Sequence, residues 1–241
     1  MSILSLVKSS RLKKPPTCTA VIAAAGLSHR CQGEDKLFYR VDGKPVIAYT
    51  LEAFQECRPV NEIIIVTHED KIENLTGVCI KYGFSKVSKI IIGGSTRVES
   101  VYNGVFAASG KTRLIAIHDG ARPCIEPGII EETIQKAALY NAAAPAVAVT
   151  STIKRAENGV IGGTVSRDGL YEIQTPQIFM ADLIKAALTH VIKKSICVTD
   201  DCMAIEEIGA KVFITEGSRK NIKITDNEDL YIAEAFLKER T

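Results

Sequence analysis

The chain has 241 residues, with 30 lysines and arginines against 28 aspartates and glutamates, a formal charge of +2 that sets up no global field toward nucleic acid or an anionic membrane. Its apolar residues fall in short runs, none near the roughly 20 residues that a membrane helix needs. Seven cysteines at irregular spacing, with no C-x-x-C pair, argue against a disulfide framework or a zinc site and fit reduced thiols in a cytoplasmic protein.

Residues 1–17 read as a basic, solvated tail: Lys8, Arg11, Lys13 and Lys14 lead into Pro15-Pro16, and the apolar patch from Ile3 to Val7 precedes the charges, the reverse of a secretory signal. A single folded domain is expected over 18–241. Its first element is a buried strand at Thr19–Ala23. Ala24-Ala25-Gly26-Leu27-Ser28-His29-Arg30 follows, with Lys36 six residues on. Small residues leaving a buried strand let backbone N–H groups approach an anion, and Arg30 and Lys36 can neutralise it. The spacing is neither G-x-G-x-x-G nor G-x-x-x-x-G-K-[ST], so dinucleotide and ordinary NTPase readings fail.

Further along, Ile63–Val66, Ile90–Ile92, Leu114–Ile117 and Ala146–Val149 lack in–out alternation, as expected of parallel strands covered on both faces. Between them, Ile47, Leu51 and Phe54 share one helical face in a helix starting near Pro45. Val98, Val101 and Val105 do the same after the capping-box pattern Thr96-x-x-Glu99, and Ile130, Ile134 and Ala137 follow Pro127. This alternation predicts an α/β, Rossmann-like fold with a mostly parallel central sheet flanked by helices.

Residues 151–174 break the rhythm, with Asn158-Gly159, Gly162-Gly163 and Asp168-Gly169 between short strand-like pieces and few large apolar side chains. They read either as a projecting β-arm lying on a partner subunit or as a mobile surface hairpin. After them are expected a helix with Ile184, Ala187, Leu188 and Val191, a second around Met203–Ile208, strands at Lys211–Ile214 and Ile222–Ile224, and a final helix opened by a capping box Thr225-x-x-Glu228.

Ligands of open α/β sheets bind beyond the carboxyl ends of the strands. Besides the first loop, three such ends are chemically unusual. Gly93-Gly94-Ser95-Thr96-Arg97, running on to Ser100, allows close backbone approach at a helix N-terminus. In His118-Asp119-Gly120-Ala121-Arg122-Pro123, Asp119 directly follows a strand, where a carboxylate can hold Mg²⁺ against substrate phosphates, and Arg122 can add positive charge. His118 reads as structural, because phosphate oxygens are already ionised near neutral pH and need no base. In Glu216–Lys223, alternation puts Lys223 opposite Ile222 and Ile224 and so toward the site.

These segments, in this order, together with Gln174–Phe179 and Asn221–Thr225, resemble the 2-C-methyl-D-erythritol 4-phosphate cytidylyltransferase family of the non-mevalonate isoprenoid pathway over about residues 18 to 241. The resemblance implies attack of the methylerythritol phosphate oxygen on the α-phosphorus of CTP, with Mg²⁺ or another divalent cation as cofactor. It implies that Ala24, Ala25 and Gly26 belong to the triphosphate loop, that Arg30, Lys36 and Lys223 are catalytic cations, and that Asp119 is the metal ligand. Gly93, Gly94 and Ser100 would form the cytosine pocket, and Arg122, Thr175 and Thr199 would contact the acceptor. The arm would cross to a second subunit in a homodimer, bringing Thr152 and Arg167 to the partner's substrate phosphate. Departures from the family pattern are Ser28 for glycine, a loop one residue short between Arg30 and Lys36, Cys31 for methionine, Ser151 for aspartate, and Lys220 where an acidic residue that can assist the metal is frequent. Two alternatives stay open: a ribitol-5-phosphate cytidylyltransferase, and a non-catalytic nucleotide-binding protein.

Overall fold

The computed structural model describes residues 16–26 and 35–239. The expectations for residues 1–15 of the N-terminal tail, and those for Ser28, Arg30, Cys31 and the shortened first loop, lie outside the described residues. The tail's expected end at 17 is two residues too late: Pro16 is buried and the Thr17 carbonyl accepts from the Arg113 and Leu114 N–H groups. In chain order the elements are β1 (Cys18–Ala23), β2 (Arg40–Val41), β3 (Lys44–Pro45), α1 (Val46–Glu56), β4 (Val60–Thr67), α2 (Ile72–Tyr82), β5 (Val87–Ile92), α3 (Arg97–Ala107), β6 (Leu114–Asp119), α4 (Pro127–Tyr140), β7 (Ala142–Ala148), β8 (Ile153–Glu157), β9 (Val160–Val165), β10 (Tyr171–Ile173), β11 (Gln177–Met180), α5 (Ala181–Lys193), α6 (Asp201–Glu207), β12 (Phe213–Glu216) and α7 (Asn227–Lys238).

β1 sits at the centre, parallel to β4 on one side and β6 on the other, with β5 parallel beyond β4. Every residue of β6 is buried, as β-branched runs covered on both faces should be. Helices α1, α2, α4 and α7 close one face over Leu51, Phe54, Leu75, Ile134 and Leu230. Helices α3, α5 and α6 close the other over Val101, Val105, Ile184, Leu188 and Ile205. The architecture is thus a mostly parallel, Rossmann-like sheet between two helical layers. No helix among the described residues is long and apolar enough to cross a membrane.

The sheet is not wholly parallel. β11, unmarked in the sequence, runs antiparallel between β6 and β7. β10 also pairs antiparallel with β7, and the register joins the two: Ile173 faces Ala146 and Ile178 faces Ala143. Five steps along one chain match three along the other, so β10 and β11 are two lengths of one strand interrupted by a bulge at 174–176. The bulge re-aims Gln174 and Thr175, whose side chains reach the Ser218 carbonyl and the Asp119 N–H.

Several boundaries differ from expectation. β7 starts at Ala142, four residues before the expected Ala146, in a run of alanines with no strand signature. β12 lies two residues beyond the expected Lys211–Ile214. Ile222–Ile224 is irregular chain and pairs with no strand. The last capping box is Asp226 with Asp229, one residue after the expected Thr225 with Glu228. Of the expected turns, Asn158-Gly159 joins β8 to β9 with φ of 50° and 80°, the left-handed pair favoured in two-residue hairpins. Gly162-Gly163 instead lies inside β9. β8 and β9 form their own two-stranded sheet, whereas β10 belongs to the main one.

Candidate active site

Asp119 ends β6 at the carboxyl edge of the parallel strands, and the bulge between β10 and β11 brings Thr175 against it. The Asp119 N–H donates to Thr175 Oγ1 (3.2 Å). The Thr175 hydroxyl in turn donates to His118 Nδ1 (3.0 Å), which leaves the opposite ring nitrogen, Nε2–H, to donate to the Arg122 carbonyl (3.3 Å). Burial pushes the His118 pKa down to about 3, so the ring is neutral and braces the chain on both sides of Asp119. The structural reading of His118 therefore fits its surroundings.

Three cations surround the Asp119 carboxylate: Lys223 Nζ at 3.0 Å, Arg97 Nη2 at 3.6 Å and Arg122 Nε at 3.6 Å. Burial alone would raise its pKa, but Lys223, Arg97 and Arg122 outweigh that and hold it at about 2. The cations differ in how they are anchored. Arg97 grips buried Asp201 with two bonds of 3.1 and 2.8 Å. Arg122 donates from Nη1 to the Asn221 carbonyl (2.7 Å). Lys223 reaches Asp119 from a side chain 40% exposed, although no strand directs it there.

Lys36 is tied to the segment that carries Lys223: its Nζ donates to the carbonyl of Ile224, the next residue (2.8 Å). Ala24 follows β1 and donates its N–H to the Val66 carbonyl, while Gly93 donates to the next carbonyl of that strand, Thr67 (both 2.8 Å). The first and second loops thus lie side by side. A Cβ on Gly93 would stand 3.0 Å from the Ala25 Cβ and 2.6 Å from Ser100 Oγ, and one on Gly94 only 2.3 Å from the Glu99 Cβ. Both glycines are required by close approach. Ala25 is half-buried and Gly26 exposed at the mouth. The Ser100 hydroxyl is engaged within the loop, accepting from Gly94 N–H (3.1 Å) and donating to the Thr96 carbonyl (2.9 Å).

The remaining expected residues are placed differently. Thr199 is exposed just before α6, its hydroxyl 3.8 Å from Met203 Sδ. Thr152 is exposed beside β8, and Arg167 donates to the Thr150 carbonyl of its own excursion, so neither is tied to the Asp119 cluster. Lys220 pairs with Glu239 at the chain's far helix (2.5 Å). Sequence reasoning overlooked Arg97, Asp201 and Gln177. Gln177 Oε1 accepts the N–H groups of Asp201 and Cys202 (both 3.0 Å), which fixes the start of α6 and hence the grip on Arg97. The signal for Arg97 lay in the Gly93-Gly94-Ser95-Thr96-Arg97 segment itself, which Arg97 ends.

Among the described residues, no three His, Cys, Asp or Glu side chains are grouped to hold a metal ion by themselves. Mg²⁺ in phosphate chemistry is commonly held by one or two carboxylates, with waters and substrate oxygens completing its shell. An ionised Asp119 at the crevice edge fits the one-carboxylate version of that arrangement.

A mostly parallel sheet with a cation-ringed carboxylate and two small-residue loops at its strand ends defines a nucleotide-handling α/β protein, and the loops and charges must say which. Residues 18–239 match the model of the family IspD, 2-C-methyl-D-erythritol 4-phosphate cytidylyltransferase. A relative of that name from Caldanaerobacter subterraneus is 43% identical over 223 residues, covering 91% of this chain and 98% of the relative. Another, from Clostridium botulinum, is 40% identical over 225 residues, covering 92% and 98%. The crystal structure of 4-diphosphocytidyl-2C-methyl-D-erythritol synthase from Anaerococcus prevotii superimposes with a TM-score of 0.83 at 30% identity, covering 93% of this chain and 97% of that one. The chain belongs to the 2-C-methyl-D-erythritol 4-phosphate cytidylyltransferase family, whose members are nucleotidyltransferases.

Proposed function

We propose that this protein transfers CMP from CTP to 2-C-methyl-D-erythritol 4-phosphate in isoprenoid precursor biosynthesis, giving 4-diphosphocytidyl-2-C-methyl-D-erythritol and pyrophosphate. The observation that carries the reading is Lys223 on the Asp119 carboxylate, with Lys36 holding the carbonyl of the next residue, Ile224, so that two lysines from distant parts of the chain are tied to one segment at the strand ends. An acceptor phosphate oxygen attacks the α-phosphorus; the new P–O bond forms as the bond to the oxygen bridging to the β-phosphate breaks, and pyrophosphate leaves with that electron pair. The attacking oxygen is already ionised, so the protein's contribution is position and charge. Lys36, Lys223 and Arg30 would stabilise negative charge growing at the α-phosphate, in a site whose dipoles are fixed beforehand. Ala24, Ala25 and Gly26 would line the triphosphate, with Gly93, Gly94 and Ser100 shaping the base pocket.

Asp119 would hold Mg²⁺, or another divalent cation, together with triphosphate oxygens, and the ion would supply neutralising charge there. Arg122, Thr175 and Thr199 are assigned to the acceptor. Arg122 and Thr175 are engaged with Asn221 and His118, so they would act from fixed positions. The β8–β9 hairpin is proposed to lie on a second copy of the chain, forming a homodimer in which Thr152 and Arg167 complete the neighbour's acceptor site. Its exposed Val160 and Ile161 support that reading.

Pyrophosphate release with CTP and Mg²⁺ tests the proposal, with methylerythritol phosphate and ribitol 5-phosphate offered in parallel. Release with the first alone is expected. Release with ribitol phosphate alone would reassign the acceptor, and release with neither would leave a nucleotide-binding protein.

A further inference from the structure

Arg97 and Lys223 both carry a positive charge toward Asp119, yet they stand at different distances. Lys223, with no other ion pair or hydrogen bond among the described residues, closes to 3.0 Å. Arg97 stays at 3.6 Å, outside hydrogen-bond range, with both of its terminal nitrogens committed to Asp201. Asp201 is 1% exposed, and its position is set by the Gln177 amide oxygen on its N–H. The neighbouring Asp200 is no competitor for the guanidinium, because its carboxylate caps Met203 N–H (2.9 Å) and accepts from Gln177 Nε2 (2.8 Å).

We propose that Asp201 restrains Arg97, holding its guanidinium off the Asp119 carboxylate so that this carboxylate stays open to a divalent cation. The inference rests on the reading of Asp119 as the cation's ligand. Arg97 and Asp201 are positioning residues. A planar guanidinium forked onto one carboxylate cannot turn to pair with another without breaking two bonds. Released, it would do at Asp119 Oδ1 what Lys223 does at Oδ2, and the incoming cation would have to displace it. The pair also ties the Gly93–Arg97 loop, assigned to the nucleotide, to the start of α6 beside Thr199, assigned to the acceptor.

Two substitutions in one ion pair should therefore move cation affinity in opposite directions, which loss of a merely structural contact would not do. The measurement is Mn²⁺ binding to the full chain in the presence of CTP and absence of acceptor, followed by electron paramagnetic resonance, with unfolding midpoints recorded for each variant. Asp201→Asn is expected to raise the half-saturating Mn²⁺ concentration by roughly three- to tenfold. Arg97→Gln removes a charge near the ligand and is expected to lower it. In the double variant, Asp201→Asn should add nothing, since it acts through Arg97. An unchanged Mn²⁺ affinity in Asp201→Asn, a weaker one in Arg97→Gln, or a full Asp201→Asn effect without Arg97 would each overturn the proposal. If Asp201→Asn does not fold, Gln177→Ala takes its place, loosening Asp201 without changing any charge: weaker Mn²⁺ binding is expected, and unchanged binding would overturn the proposal. Wild-type protein that binds no Mn²⁺ with CTP would instead refute the reading of Asp119 itself.

Discussion

Around Asp119 the side chains are gripped by the protein: His118 by Thr175 and Arg122, Arg97 by Asp201, Arg122 by Asn221 and Lys36 by Ile224. On the β8–β9 hairpin nearly every residue faces solvent, with Val160 70% and Ile161 66% exposed. Both regions are assigned to substrate, but only the first is pre-organised. The crevice can act by electrostatics fixed before substrate arrives. The hairpin leaves its apolar side chains open, and an isolated two-stranded ribbon is marginal in water; the proposed docking on a second copy would supply the surface it lacks.

The sharpest way to separate the regions is to compare what their loss does to turnover. Lys36→Ala and Lys223→Ala should each lower kcat by about a thousandfold, the scale of removing a pre-placed electrostatic stabiliser. Unfolding midpoints should stay near wild type, and near-normal turnover in either variant would remove it from the catalytic set. A double Val160→Asp, Ile161→Asp variant attacks the hairpin's docking instead. It should sediment as a monomer, show a thermal midpoint that no longer rises with protein concentration and lose activity by about a hundredfold, because the lost groups would belong to the neighbour's site. A dimer with full activity would break the comparison.

Arg167→Ala should act more narrowly, raising KM for methylerythritol phosphate by roughly tenfold and leaving KM for CTP alone, as expected for one charge-assisted contact. Mixed with Lys36→Ala protein it should recover activity in hybrid dimers. No recovery after confirmed subunit exchange would put Arg167 in its own chain's site.

The smallest effect concerns the brace beneath the crevice. The His118 pKa of about 3 in the folded chain lies below its ordinary 6.5. The unfolded state therefore takes up the proton first as pH falls. The stability gained from a neutral His118 is complete above about pH 6.5 and shrinks by about 1.4 kcal/mol per unit as pH falls from there toward the folded value. His118→Gln should cost stability at neutral pH yet flatten that slope, read as urea midpoints at pH 7 and 5. An unchanged slope would mean that the ring is not the titrating group.

The parallel strands were legible because Ile63–Val66 and Leu114–Ile117 are runs that suit only a sheet covered on both faces. The start of β7 was hidden because Ala142–Ala144 carries a helix former's residue into a strand that tertiary pairing imposes. β11 is four residues long, too short for periodicity to show. At α7 two caps compete one residue apart. Asp226 prevails with Asp229, whose carboxylate also takes the Thr225 N–H and hydroxyl. In the site, Lys223 was legible from its apolar neighbours, which face inward even though no strand forms. The link between Arg97 and Asp201 was not, since 104 positions separate them and no local pattern couples residues at that distance.

The interrupted β10–β11 strand has a consequence for how this chain can change. β7 leaves the sheet at the edge that carries Asp119, and the returning strand comes back at that same edge. The excursion between them begins and ends on one rim without crossing the layers below. Residues can be added there, trimmed, or rejoined in a new order, and the ladder beneath keeps its partners. The molecule thus keeps one length-tolerant port beside its chemistry, where new reach can be gained without rebuilding the sheet.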